Sequence, residues 1–174
     1  MSESMQVSPG TLATTGVPSA EELAKVTPSA ERRARGPVVM IECFQRIPCD
    51  PCHYGCRVGA IEPFTDINDT PVVDWDKCTG CGLCVAACPG LAIFVVDEAA
   101  GEDECRIAVP YEMSPVPSKG AQVKLLDRAG VEVGEGLVER VVPGRKPEGT
   151  TVVWLRAPKR LSLVARGFRV GEAE

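Results

Sequence analysis

Nine cysteines punctuate a chain of 174 residues, and eight of them fall into two ordered runs. The second run, "KCTGCGLCVAACPG", spaces Cys78, Cys81, Cys84 and Cys88 as C-x2-C-x2-C-x3-C-P. The first, "CFQRIPCDPCHYGC", spaces Cys43, Cys49, Cys52 and Cys56 as C-x5-C-x2-C-x3-C. Thiolates are soft ligands, and four at this density can hold either of two kinds of centre. Structural zinc takes a tetrahedron of thiolates, usually as two C-x2-C pairs separated by a longer spacer. A cube of four irons takes three thiolates from one tight loop and a fourth from another direction. Here three cysteines crowd each loop and the fourth follows on a short helical segment, before a proline in the second run. The spacing favours the cube.

The two runs are copies of one unit. "CDPCHYGCRVGAI" (49–61) overlays "CGLCVAACPGLAI" (81–93), so that Cys49, Cys52 and Cys56 fall on Cys81, Cys84 and Cys88, and Ala60-Ile61 on Ala92-Ile93. Upstream, Cys43 corresponds to Cys78, with "FQRIP" standing where the second copy has "TG". Apolar segments at 38–44 and 71–75 precede the runs, and others at 60–64 and 92–97 follow them. Short Val- and Ile-rich stretches bounded by Pro, Gly and Asp read as strands. The unit is strand, cysteine loop, short helix, strand. The fourth cysteine of each copy points away from its own loop, so in a duplicated unit it serves the other copy's centre. This predicts one [4Fe–4S] cluster on Cys43, Cys49, Cys52 and Cys88, and a second on Cys78, Cys81, Cys84 and Cys56.

Over residues 38–97 the chain resembles the bacterial two-cluster ferredoxins. It departs from their pattern in the five residues between Cys43 and Cys49, and in Arg57 where proline usually follows the fourth cysteine. A looser resemblance rests on "IECFQRIPCDPC", "KCTGCGLCVAACPGLAIFVVD" and "VPYEMSPVPSKGAQV". These stretches look like small ferredoxin-type subunits associated with FAD-dependent amino-acid oxidoreductases of the proline, hydroxyproline and sarcosine dehydrogenase kind. That resemblance implies a hetero-oligomer in which FAD or FMN sits on a partner chain, with room beside it for a 2Fe–2S subunit.

The elements around this module divide the chain into three. Residues 1–37 hold four basic and four acidic side chains, residues 38–104 three and twelve, and residues 105–174 twelve and eight. An acidic middle and a basic end mark a boundary near Cys105. The last 70 residues show five Val- and Leu-rich segments separated by "PVPSKG", "DRAG" and "PGRKPEG". They read as a small β-barrel used for docking. The expected fold class is therefore α+β, a pseudo-twofold dicluster module followed by a small all-β barrel-like domain. The first 37 residues read as an extended or partly helical arm. Within it "SAEE" (19–22) matches a capping box that starts a helix through Val26, and "TPSAERRARG" offers a further turn. Such an arm is expected to be disordered or laid across a partner. No basic and apolar leader is visible, and no apolar stretch nears the roughly 20 residues of a membrane span. Nine cysteines without export argue for metal ligation in the cytoplasm.

No nucleophile–base pair, carboxylate dyad or phosphate-binding glycine loop accompanies the cysteines. The chemistry left is one-electron transfer. The expected role is an electron-transfer subunit that carries electrons between a partner's flavin and a further acceptor. A free-standing ferredoxin is the alternative, and a redox-sensing nucleic-acid binder a weaker one, because no aromatic platform interleaves with the basic residues. Cys105 and the tryptophans Trp75 and Trp154 read as core residues, and His53 as a surface imidazole. Pro48 and Pro51 remove two amides from the first loop, whereas Gly80 and Gly82 leave the second loop all of its own. The centre on Cys43, Cys49 and Cys52 is therefore expected at the lower potential.

Overall fold

Strand residues alternate between two apolar faces, and one seven-stranded sheet uses both of them. The computed structural model describes residues 12–144 and 149–170. In chain order these form helices α1 (Leu12–Thr15), α2 (Ala20–Val26) and α3 (Ala30–Ala34), strand β1 (Val38–Ile41), helices α4 (Pro51–Gly55) and α5 (Leu83–Ala87), and strand β2 (Ile93–Asp97). Strands β3 (Glu104–Tyr111), β4 (Gln122–Leu126), β5 (Glu132–Val142), β6 (Thr151–Pro158) and β7 (Gly167–Val170) follow, with a 3-10 turn at Lys159–Leu161 before the last. The sheet order is β1-β2-β3-β6-β5-β4-β7, antiparallel throughout. Among the described residues no helix is long and apolar enough to cross a membrane.

The ladder runs straight across the change of charge near Cys105. β2 pairs with β3 through Val95↔Ala108 and Asp97↔Arg106, and β3 pairs along its whole length with β6. Successive strand side chains point to opposite faces. On one face Ile93, Val95, Ala108, Val152 and Trp154 support the cysteine loops. On the other Phe94, Ile107, Val109, Val153 and Leu155 enter a separate core with Leu125, Val138 and Phe168. Each fully buried Val, Leu or Ile contributes about 1.5–3 kcal/mol, against about 1 kcal/mol net for a ladder hydrogen bond. Burial on both faces is what holds β2, β3 and β6 at the centre.

The far half of the sheet curls. Register shifts at Leu125/Leu126 and Val138/Arg140 are irregularities that sharpen twist. A Cβ on Gly136 would stand 2.9 Å from both the Arg156 carbonyl oxygen and Leu125 Cδ2, so the strands approach there only because glycine has no side chain. The curl brings Tyr111 of β3 onto Phe168 of β7, with ring centroids 4.8 Å apart and stacked. Side-chain packing closes this end; among the described residues no ladder joins β7 to β3.

The arm's first eleven residues lie outside those described; the rest lies across the chain itself. Ser19 caps α2, accepting the Glu22 N–H at 3.2 Å while its own N–H donates to Glu22 Oε2 at 2.7 Å. Ser29 caps α3 by accepting the Arg32 N–H at 3.1 Å. From α3, Arg33 pairs with Glu98 at 2.9 Å, and Arg32 turns inward beneath the second cysteine run. A second tie joins the two halves of the chain. Glu42, next to Cys43, accepts from Arg128 of the β4–β5 turn and from Arg166 before β7, all three being largely buried. Burial raises the Glu42 carboxyl, but the two guanidiniums outweigh it and hold the group below the ordinary carboxylate range.

Candidate metal centre

The two cysteine runs fold into matching corners on one face of the sheet. Each begins with a loop and enters a single turn and a half of helix, with Pro51 at the start of α4 and Gly82 capping α5 at φ 80°. Pro is preorganised for a first helical turn, and glycine tolerates the left-handed cap. Each helix ends at its fourth cysteine. Cys56 (φ −86°, ψ 94°) and Cys88 (φ −83°, ψ 112°) both leave the helix extended, with their N–H groups returned to the His53 and Val85 carbonyls. Just before them, α4 and α5 meet. Gly55 lies so close to Ala87 that a Cβ on Gly55 would stand 2.8 Å from the Ala87 methyl. Gly55 and Ala87 occupy the same place in the repeat, so the two units cross at their smallest residues.

This crossing sorts the thiols. Burial pushes the Cys52 thiol up to about 11, and the neighbouring Cys88, Cys43 and Cys49 add to the rise. Cys43 and Cys49 are also raised, by burial and then by Cys88. On the other side burial pushes Cys84 up to about 12, helped by Cys78, Cys81 and Cys56. Cys88 therefore neighbours Cys43, Cys49 and Cys52, and Cys56 neighbours Cys84. Among the described residues no three Cys, His, Asp or Glu side chains close around a single ion. Tetrahedral zinc needs its sulfurs about 2.3 Å from one ion. A cube gives each thiolate its own iron corner, so the four sulfurs spread apart. The donors gathered at these two corners are all thiols, the ligand chemistry that a cube takes.

Backbone donors reach thiols of both runs, Gln45 serving Cys43 and His53 serving Cys52. The N–H groups of Val39 and Gly80 reach Cys78 Sγ, each at 3.4 Å, and that of Ala60 reaches Cys56 Sγ at 3.2 Å. Gly80 is constrained twice: φ is 63°, and a Cβ would meet the Pro37 carbonyl carbon at 2.6 Å. Cys81 is the one exposed cysteine of the nine. It opens into a cavity of about 480 Å³ lined also by Tyr54, Leu83, Pro143 and Trp154.

The remaining residues singled out from sequence lie as follows. Cys105 is fully buried in the second core, its thiol pushed up to about 12 by burial and turned toward the Pro158 carbonyl oxygen. Trp154 packs beneath the cysteine module with Arg140 over its ring, and Trp75 donates its Nε1–H to the Val39 carbonyl at 3.1 Å. His53 is partly buried, with Nδ1 2.9 Å from the Ile61 carbonyl oxygen. Sequence reasoning did not single out Arg32, whose guanidinium donates to the Cys78 carbonyl. Local sequence gives it no signal that Arg33 and Arg35 lack.

Comparison with known proteins meets this geometry on the second run. Residues 71–94 match the 4Fe–4S binding domain family. The chain is similar to one component of the Na(+)-translocating ferredoxin:NAD(+) oxidoreductase complex of Acetobacterium woodii, at 43% identity over 56 residues. It is also similar to the ferredoxin-type protein NapF of Haemophilus influenzae (35% over 63 residues) and the thiosulfate reductase electron transfer subunit PhsB of Salmonella typhi (30% over 76 residues). These matches cover 28%, 34% and 41% of this chain, but only 17%, 36% and 38% of the relatives. No solved structure matches the chain. Its second cysteine run is thus a ferredoxin-type 4Fe–4S binding segment.

Proposed function

We propose that this chain is an electron-transfer subunit with two [4Fe–4S] clusters in a pseudo-twofold module. Cys43, Cys49, Cys52 and Cys88 hold one, and Cys78, Cys81, Cys84 and Cys56 the other. The observation that carries the reading is that Cys88 lies near Cys43, Cys49 and Cys52, and Cys56 near Cys84, which supports fourth ligands exchanged between the copies. When bound, such a group supplies one-electron transfer at a potential tuned by hydrogen bonds and exposure. The chain's own part is to ligate, to exclude water and to set the local charge. The α4–α5 crossing brings the two donor sets together, and Cys81 leaves one of them at the surface. The curled strands β3–β7 act as the docking part. The partner is a flavin-dependent oxidoreductase subunit, of the amino-acid dehydrogenase kind by resemblance. The names of two of the relatives, as parts of reductase or oxidoreductase assemblies, support a hetero-oligomer.

The test reads metal and partner separately. The purified chain should contain about four irons and four sulfides per cluster, and native purification should return a flavoprotein in fixed ratio. Cys88→Ala should damage the centre sharing Cys49, and Cys56→Ala the centre sharing Cys81, each read by EPR beside Cys49→Ala and Cys81→Ala. A Cys56→Ala spectrum that matched Cys49→Ala would mean self-contained runs and overturn the ligand assignment.

A further inference from the structure

Among the described residues Arg32 is a buried cation without a counter-ion. Its residue is 9% exposed, and its guanidinium gives every bond to a main-chain carbonyl. Nε donates to Trp75 at 2.7 Å, Nη1 to Gly36 at 3.2 Å, and Nη2 to Pro37 at 3.3 Å and Cys78 at 2.6 Å. Of the carboxylates around it, Glu31 forms no ion pair with Arg32, and the other two are engaged elsewhere. Asp74 pairs with Lys77 and Asp76 with Arg35, and neither forms an ion pair with Arg32. Neighbouring arginines behave differently, since Arg33 pairs with Glu98 and Arg35 lies at the surface.

A buried charge is costly unless it is paired, and carbonyl dipoles solvate a guanidinium without neutralising it. A group that would balance it would be held by the Cys78 thiol, on the residue whose carbonyl Arg32 binds. Cys78 carries the carbonyl that Arg32 grips and the thiol that Val39 and Gly80 serve with N–H groups. A cube ligated by four thiolates is anionic, and reduction adds one more electron with no bond made or broken. A fixed positive charge beside it stabilises the reduced form more than the oxidised one.

We propose that Arg32, contributed by the N-terminal arm, is the positioning and charge-tuning residue that raises the reduction potential of the centre on Cys78, Cys81, Cys84 and Cys56. This rests on the two-cluster reading above. The arm is thereby part of the redox module, and its docking through α3 sets the gap between the two potentials.

The experiment is an EPR-monitored potentiometric titration of the full reconstituted chain, with dithionite as reductant. Arg32→Gln removes the charge and keeps two N–H donors. It should shift the midpoint of the Cys78-side centre to more negative values and leave the Cys43-side centre unmoved. Arg33→Gln removes the same unit of charge from a side chain bonded to Glu98 and the Pro28 carbonyl rather than to the cysteine loop, and should shift the Cys78-side centre much less. Arg32→His adds a readout within one folded variant. Its Cys78-side midpoint should fall as pH rises through the imidazole range near about 6.5, with no matching change in wild type. Unmoved midpoints in Arg32→Gln at full iron content, or a pH-independent Arg32→His, would overturn the proposal. So would failure of both variants to take up iron, which would leave Arg32 as a strut alone. Wild-type chain without iron and sulfide would instead refute the two-cluster reading before any variant is compared.

Discussion

A single methyl group tests whether the two units depend on one another. Gly55→Ala would place a Cβ 2.8 Å from the Ala87 Cβ, whereas non-bonded carbons settle at about 3.5–4.0 Å. To admit it, α4 and α5 must part by about 1 Å. Local propensity works the other way, since alanine replaces a helical glycine with a gain of at most about 1 kcal/mol, and less at the last position of a short helix. Overpacking a tight contact costs about 1–3 kcal/mol. The crossing should win, for a net loss of about 1–2 kcal/mol. Such a difference is a factor of about 5–30 in a folded/unfolded ratio.

The readout is the rate at which the visible absorbance of the loaded chain bleaches on gentle warming, because cluster loss makes unfolding irreversible. Cys56 and Cys88 follow directly on Gly55 and Ala87, so both EPR signals should decay together and several-fold faster in Gly55→Ala. The partner variant Ala87→Gly removes the methyl that the new one strikes. Gly55→Ala/Ala87→Gly should therefore recover most of the loss, with a coupling of about 1 kcal/mol or more. If Gly55→Ala bleaches no faster than wild type, or if Ala87→Gly adds to its loss, the close crossing is not what couples the units.

Two further outcomes are expected. Glu42→Gln keeps the shape but leaves Arg128 and Arg166 buried against each other, so the denaturation midpoint should drop by the equivalent of about 3–5 kcal/mol. In wild type the centre on Cys43, Cys49 and Cys52 should show the lower midpoint in an EPR-monitored titration. Val39 and Gly80 both serve Cys78 and Ala60 serves Cys56, against Gln45 on Cys43 and His53 on Cys52, and Pro48 and Pro51 have no N–H to give; a reversed order would count against hydrogen-bond control.

What could be read from the sequence was whatever repeats or alternates locally. Cys49, Cys52 and Cys56 overlay Cys81, Cys84 and Cys88 without a gap, and short-range spacing alone proposes two matched corners. The Val- and Leu-rich segments after Cys105 contain β3 to β7, with turn residues between the first four; of the last, only Gly167–Val170 is strand. Pairing between distant segments was not legible. β6 lies between β3 and β5 through contacts such as Ile107↔Leu155, and no local pattern chooses that partner. The inner apolar segments at 60–64 and 71–75 were expected as strands, yet they share only the bridge Ile61↔Val73. Val72 is 58% exposed, so little burial rewards a longer ladder there. Arg32 shows the same limit at the site. "ERRAR" gives three arginines one local signal, and what separates them is which guanidinium meets the carbonyls of Trp75 and Cys78. Gly55 stands between these cases. The repeat puts it opposite Ala87 before each fourth cysteine, so two small residues at one repeat position already mark where the units touch.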